Sequence, residues 1–310
     1  MEKHRKKLIK NATVFDGHSS GLAQGKKIVI EDDIVTEITA DEVSEENFDE
    51  VFDGTGMVAM PGMTDAHVHM GCLFAKGEFP VDYATVLTVA KCKDALMAGF
   101  TTFRDAGSVS EGLKLAFDEG VLPGPRIYPC GAYISQTCGH GDSEYAHTYR
   151  DIQYRHPSST VLADGVPEII RAVREQFYRG ASHIKLMATE ILNRHEDIRL
   201  LFGTDMMITG PDYQVEQSED IRYYEKRFGT MRALRALTGT ANEVFALTTY
   251  QNPYPKGKIG VLEAGSYADL LLVDGDPTKS VSVLADTDHL RLIMKGGTVY
   301  KIHCAEILFR

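Results

Sequence analysis

Two histidines one residue apart, His67 and His69, end the segment Met60-Pro61-Gly62-Met63-Thr64-Asp65-Ala66-His67-Val68-His69. On an extended strand residues i and i+2 face the same way, so both imidazoles can reach one metal ion. Neutral imidazole is a common zinc ligand. Two ordinary histidines on the polar face of a strand would give the same spacing. The position of the pair, just after a Pro-Gly turn where a β-rich segment gives way to an alternating one, favours the metal reading.

Two further groups are suited to the same chemistry. Gly203-Thr204-Asp205 follows the apolar run Ile198 to Phe202, and a carboxylate just past the C-terminal end of a barrel strand is where catalytic groups stand. Asp205 could bind a metal and take a proton from water; the plain alternative is a turn or helix-capping aspartate. Lys185 lies inside the apolar segment His183-Ile184-Lys185-Leu186-Met187. An ammonium aimed into a barrel is costly unless paired or altered. Carbamylation by carbon dioxide would turn it into an anionic oxygen ligand. The alternative is a strand-end lysine whose head reaches water.

The elements that must position these groups change style along the chain. Lys27 to Ile30 and Ile34 to Ile38 are β-branched runs around the acidic turn Glu31 to Asp33, which predicts a hairpin. From Pro61 onwards strands and helices alternate. Tyr83 to Met97 reads as a helix with Ala84, Leu87, Ala90 and Ala95 or Leu96 near one face, stopped at Gly99. Phe100 to Phe103 follows as a strand, Leu113 to Asp118 as a helix, and Arg126 to Pro129 as a strand. Glu168 to Arg179 reads as a helix ending at Gly180, and His183 to Met187 as a strand. That alternation predicts β/α units around a parallel sheet. Gly260 to Gly265, Asp269 to Val273 and Leu290 to Tyr300 return to short strands and glycine turns. The two β-rich ends are therefore expected to pack as one composite β-sandwich domain, residues 1–60 with 255–310, around a middle section of residues 61–254.

Composition narrows the partners. The net charge of −11 argues against a general nucleic-acid or anionic-membrane surface, both of which attract basic patches. No run of about 18 apolar residues occurs, and the basic Met1 to Lys10 lacks the apolar stretch of a signal peptide. The cysteines Cys72, Cys92, Cys130, Cys138 and Cys304 are odd in number and include no Cys-x-x-Cys pair. They read as reduced thiols in a soluble cytoplasmic protein.

Taken in order, the motifs resemble the amidohydrolase superfamily. Met60 to His69 is similar to its first barrel strand, Ala98-Gly99-Phe100-Thr101-Thr102-Phe103-Arg104-Asp105 to the second, and Gly124-Pro125-Arg126-Ile127 to the third. Gly180 to Lys185 resembles the fourth strand and Gly203-Thr204-Asp205 the eighth. Gly260 with Ala264-Gly265, Ala268-Asp269-Leu270 and Lys295-Gly296-Gly297 resembles the C-terminal β-segment. Cys138-Gly139-His140-Gly141-Asp142 is similar to a loop of the branch with imidazolonepropionase-related and Xaa-Pro dipeptidase-like or carboxypeptidase-like enzymes.

The resemblance implies a metal-dependent hydrolase of an amide or peptide C–N bond in a small molecule such as a dipeptide. His67 and His69 would bind the first of two divalent ions, zinc by expectation, with a carbamylated Lys185 bridging to the second. Asp205 would bind the first ion and carry the proton, and His140 would touch the substrate. The pattern breaks between Lys185 and Asp205. The family supplies further histidines from its fifth and sixth strands, yet residues 186–204 are too few for three strands with their helices, since one βαβ unit takes about 30 residues. His195 lies in this gap, but ahead of the segment Ile198 to Phe202, at the end of the strand away from the ligands. The expected fold is therefore α/β, an incomplete (β/α)8 barrel truncated near residues 188–198, with ligands for one ion where intact relatives hold two. Unpaired sheet edges predict a homo-oligomer. The competing expectation is a catalytically impaired remnant with a binding role or none.

Overall fold

Five strands open the chain: β1 (Lys6–Val14), β2 (Ala23–Glu31), β3 (Ile34–Thr39), β4 (Glu50–Asp53) and β5 (Val58–Pro61). The computed structural model describes residues 5–70, 81–107, 111–139, 141–142, 160–187, 199–207, 213–302 and 307–309. The alternating section then runs β6 (Met63–His69), α1 (Val81–Met97), β7 (Phe100–Asp105), α2 (Glu111–Asp118) and β8 (Arg126–Tyr128). It continues with β9 (Tyr133–Ser135), β10 (Thr160–Leu162), α3 (Val166–Tyr178), β11 (Leu186–Met187) and β12 (Met206–Met207). Helices α4 (Tyr213–Phe228), α5 (Thr230–Leu237) and α6 (Gly239–Phe245) lead to β13 (Leu270–Val273), β14 (Leu290–Lys295), β15 (Thr298–Ile302) and β16 (Ile307–Phe309).

The hairpin read from the sequence is β2–β3, antiparallel, with Glu31 opposite Ile34. Its turn uses Asp32 in the left-handed region at φ 54°, which aspartate tolerates better than bulky residues do. Strands from both ends of the chain share one sheet in the order β15-β14-β13-β5-β1-β2-β3, with β4 beside β1 and β16 beside β4. Within it, β13 shows why its sequence is a continuous apolar run. Leu270 and Leu272 enter one core with Ile9, Ile28 and Leu292. Leu271 and Val273 enter a second with Met60, Met63, Phe100 and Phe202. Successive strand residues face opposite ways, and here both faces are covered.

The crossing from this sheet into the β/α section is Gly62, whose N–H donates to the Asp269 carbonyl at 2.9 Å. A Cβ at this position would stand 2.1 Å from Thr101 Oγ1, so a side chain fits only if Thr101 moves. Beyond it, β6 lies parallel between β12 and β7, and β8 flanks β7. A second parallel set has the order β10-β9-β11. The two sets meet where the Ser182 N–H donates to the Pro129 carbonyl at 2.7 Å. Among the described residues these are two open sheets and no closed barrel, in keeping with the incomplete α/β architecture expected from the sequence.

Several local expectations are corrected. The buried stripe of α1 is Thr88, Cys92, Ala95 and Leu96, while Ala90 is exposed. Thr88 can enter the stripe because its hydroxyl donates to the Met70 carbonyl at 3.2 Å. The strand expected over His183 to Met187 shrinks to Leu186–Met187. The run before Gly203 is not a strand at its described residues 199–202. The paired segment is Met206–Met207, so Asp205 precedes a strand instead of following one. Gly260 to Gly265 is irregular as well, because Gly260 and Gly265 take φ of 77° and 85°, values that break a pleat. The truncation point near 188–198 lies outside the described residues.

Candidate metal centre

β6 carries Asp65, His67 and His69 at alternate positions, and its pairing with β7 is irregular between Asp65 and Val68. His69 is buried and His67 is about one-third exposed, so the pair spans the boundary between core and solvent. Their rings are tilted at 57° with centroids 5.3 Å apart, and Tyr133 supports His69 edge-on at 6.4 Å.

Asp205 reaches these histidines through an irregular pairing with β6. The Ala66 N–H donates to the Phe202 carbonyl at 2.8 Å, and the Asp205 N–H donates to the His67 carbonyl at 2.7 Å. Between these bonds Gly203 passes so close that a Cβ there would stand 2.7 Å from His67 Cβ. Asp205 itself has φ 54°, an uncommon conformation for a non-glycine residue that tends to be kept at functional positions. Its Oδ1 lies 3.0 Å from His67 Nε2 and 3.2 Å from His69 Nε2. Lys185 Nζ lies 2.9 Å from His67 Nε2.

The structure thus brings four of the residues singled out in the sequence together: His67, His69, Lys185 and Asp205. His140, the fifth, and His195 lie outside the described residues. Burial first, then Lys185, pushes the His67 imidazole down to about 4, although Asp205 opposes the shift. His67 is accordingly neutral near pH 7, the form that binds metals. Burial also lowers Lys185 below the ordinary lysine range, against the pull of Asp205.

The donor set fits a cation. One His67 nitrogen faces both Asp205 and Lys185, and it cannot donate to the carboxylate while accepting from the ammonium. Two imidazole nitrogens and one carboxylate oxygen lie within 4.8 Å of one another. The two His–Asp separations are close to the edge of roughly 3.3 Å expected for tetrahedral ligands about 2.0 Å from zinc. His67, His69 and Asp205 are the only such group of three among the described residues.

Other groups around the centre escaped the sequence reading. Asp65 is fully buried, and burial pushes its carboxyl up to about 7 against the hydrogen bonds it accepts. Those come from Thr204 Oγ1 at 2.8 Å, the Thr204 and His67 amides at 3.2 Å each, and Gln217 Nε2 at 3.3 Å. Arg104 donates to the Ala66 carbonyl at 3.3 Å. His183, paired with the Asp105 carbonyl at 3.0 Å, is driven down to about 3 by burial and then by Arg104.

The profile of the Amidohydrolase family matches residues 58–198. Ochratoxinase of Aspergillus niger is 34% identical over 152 residues, 43% of this chain and 31% of that protein. Imidazolonepropionase of Picrophilus torridus is 39% identical over 176 residues, 53% of this chain and 43% of that protein. The chain thus spans less than half the length of these two relatives. Among solved structures, the A. niger ochratoxinase crystal structure superposes with a TM-score of 0.77 at 19% identity, covering 97% of this chain and 96% of that one. A Xaa-Pro dipeptidase with bound methionine in its active site gives 0.73 at 21% identity, with 96% and 100% covered. These two likenesses concern the fold. The chain is thus similar in sequence to the Amidohydrolase family over residues 58–198 and shares the fold of these two structures.

Proposed function

We propose that this protein is a metal-dependent hydrolase of an amide or peptide C–N bond in a small molecule, with a dipeptide the substrate class favoured by its structural relatives. The observation that carries the reading is the convergence of His67 Nε2 and His69 Nε2 on Asp205 Oδ1. These residues, with Lys185 as a carbamate, would hold one divalent ion, zinc by the chemistry of the donor set. When bound, such an ion supplies Lewis acidity toward water and a carbonyl group.

The chain's own residues divide the remaining work. His67, neutral near pH 7, and the buried His69 would hold the ion from the protein side. Asp205, whose side chain is 71% exposed, stands toward solvent, where its carboxylate can take a proton from the attacking water and pass it to the leaving nitrogen. His140 is proposed as a substrate contact from the loop between Cys138 and Asp142. The buried free thiols Cys92 and Cys130 support a reducing, cytoplasmic setting. No helix among the described residues is long and apolar enough to cross a membrane.

The two open parallel sheets favour a second reading, a remnant that binds metal but turns over little. Metal content of the purified chain, with turnover on a panel of dipeptides, separates the two. Bound zinc that falls in Asp205→Ala, together with metal-dependent hydrolysis, supports the enzyme. Bound metal without turnover supports the remnant, and a chain that takes up no metal defeats both.

A further inference from the structure

We infer that Asp65 is a positioning residue that clamps the Gly203-Thr204-Asp205 turn to the His67–His69 strand and so sets Asp205 against the two imidazoles. The inference rests on the metal-centre reading of His67, His69 and Asp205. A single buried carboxyl joins three separate pieces of chain. Its Oδ1 accepts from the His67 amide within its own strand and from the Thr204 amide across the β6–β12 seam, at 3.2 Å each. Its Oδ2 accepts from Thr204 Oγ1 at 2.8 Å and from Gln217 Nε2 of α4 at 3.3 Å.

The regular ladder alone would not fix the turn. β12 pairs with β6 through only Met206 and Met207, and Asp205, just before them, has φ 54°. A residue in that conformation persists only where its surroundings over-determine it. The Asp65 bonds to Thr204 fix the residue before Asp205, and the Asp205 amide bond to the His67 carbonyl at 2.7 Å fixes the residue itself. The α4 contact ties the turn to the helix packed behind it. With Thr204 held on both its amide and its hydroxyl, the next side chain has little freedom but to face the histidine pair.

Two readouts test the clamp separately from the function. The first is amide hydrogen exchange of the metal-free chain. Asp65→Ala should speed exchange at Thr204 and Asp205 by about tenfold or more, as loss of buried hydrogen bonds does. Asp65→Asn keeps Oδ1 as the acceptor for both amides and should retain protection. The second is Co2+ titration followed by its visible absorption. The alanine variant should bind about tenfold more weakly with an altered spectrum, as loss of a supporting hydrogen bond does, and the asparagine variant should resemble the wild type. Unchanged exchange in the alanine variant, or equal loss in the asparagine variant, overturns the clamp. If the alanine variant does not fold, Thr204→Val removes the hydroxyl tie alone, and unchanged exchange at position 205 then overturns it. A wild-type chain that ignores Co2+ yet shows the expected exchange pattern defeats the metal reading and leaves the clamp standing.

Discussion

Lys185 Nζ and His67 Nε2 stand 2.9 Å apart although His67 belongs to β6 and Lys185 directly precedes β11 of the other parallel sheet, and the same imidazole nitrogen meets Asp205 at 3.0 Å. An ammonium beside an imidazole leaves no room for a cation without like-charge repulsion, whereas a carbamate would add an anionic ligand. Bicarbonate during expression should therefore raise metal content, measured by elemental analysis, and Lys185→Ala should abolish the response. A bicarbonate-independent chain with full metal in the alanine variant would rule the carbamate out.

Arg126 and Asp269 form a buried bidentate pair, with contacts of 2.6 and 3.1 Å. Burial works against the guanidinium, but Asp269 more than offsets it. The pair joins β8 of the parallel sheet to the residue before β13 of the terminal sheet, and Asp269 also accepts from the Gly296 amide at 2.7 Å. Arg126 lies over the Tyr267 ring at 3.8 Å. Removing one partner strands the other charge, so Asp269→Ala should cost ~3–5 kcal/mol in urea unfolding. A loss under ~1 kcal/mol would mean that water satisfies the arginine.

Lys295 is buried and donates to the Gly124 carbonyl at 2.6 Å. Burial first, then Arg126, brings its ammonium down to about 8. Between this value and the unfolded lysine value near 10.4, the unfolded chain binds the extra proton. The Lys295 contribution to stability therefore rises with pH across that window and is smallest below it. Burial raises the thiols Cys92 and Cys130 and acts the opposite way, so the comparison must be with Lys295→Met. The wild type should gain on that variant from pH 8 to 10, measured by urea midpoints. Parallel pH curves would contradict the assignment.

The legibility of the site follows from the range of the forces involved. His67 and His69 were readable because a strand repeats every two residues, a local rule. The β2–β3 hairpin was readable for the same kind of reason, its turn residues lying between two β-branched runs. Asp205 was legible through motif order, yet its left-handed backbone and its place before β12 were not, because Gly203 and the β6 backbone impose them. The α1 face was misread because the Thr88 bond to Met70 makes a polar residue acceptable inside. Asp65 went unassigned because two of its partners, Thr204 and Gln217, lie 139 and 152 residues away, and no local pattern records such pairings.

The described residues offer one group of three metal-binding side chains, His67, His69 and Asp205, and Lys185 adds a fourth ligand only as a carbamate. One tightly bound ion per chain is expected, with dipeptide turnover well below the ~10 s⁻¹ typical of enzymes. If the truncation near residues 188–198 is real, Asp205→Asn should change turnover little, there being scant activity to lose, while metal content falls. The parallel strands end in open sheets, and Leu186 of β11 is 54% exposed. Such edges invite pairing between copies, so light scattering should detect oligomers, and Leu186→Lys should reduce them. Two tightly bound ions with brisk dipeptide hydrolysis by a monomer would show instead that residues outside the described set complete the site and cover the edges.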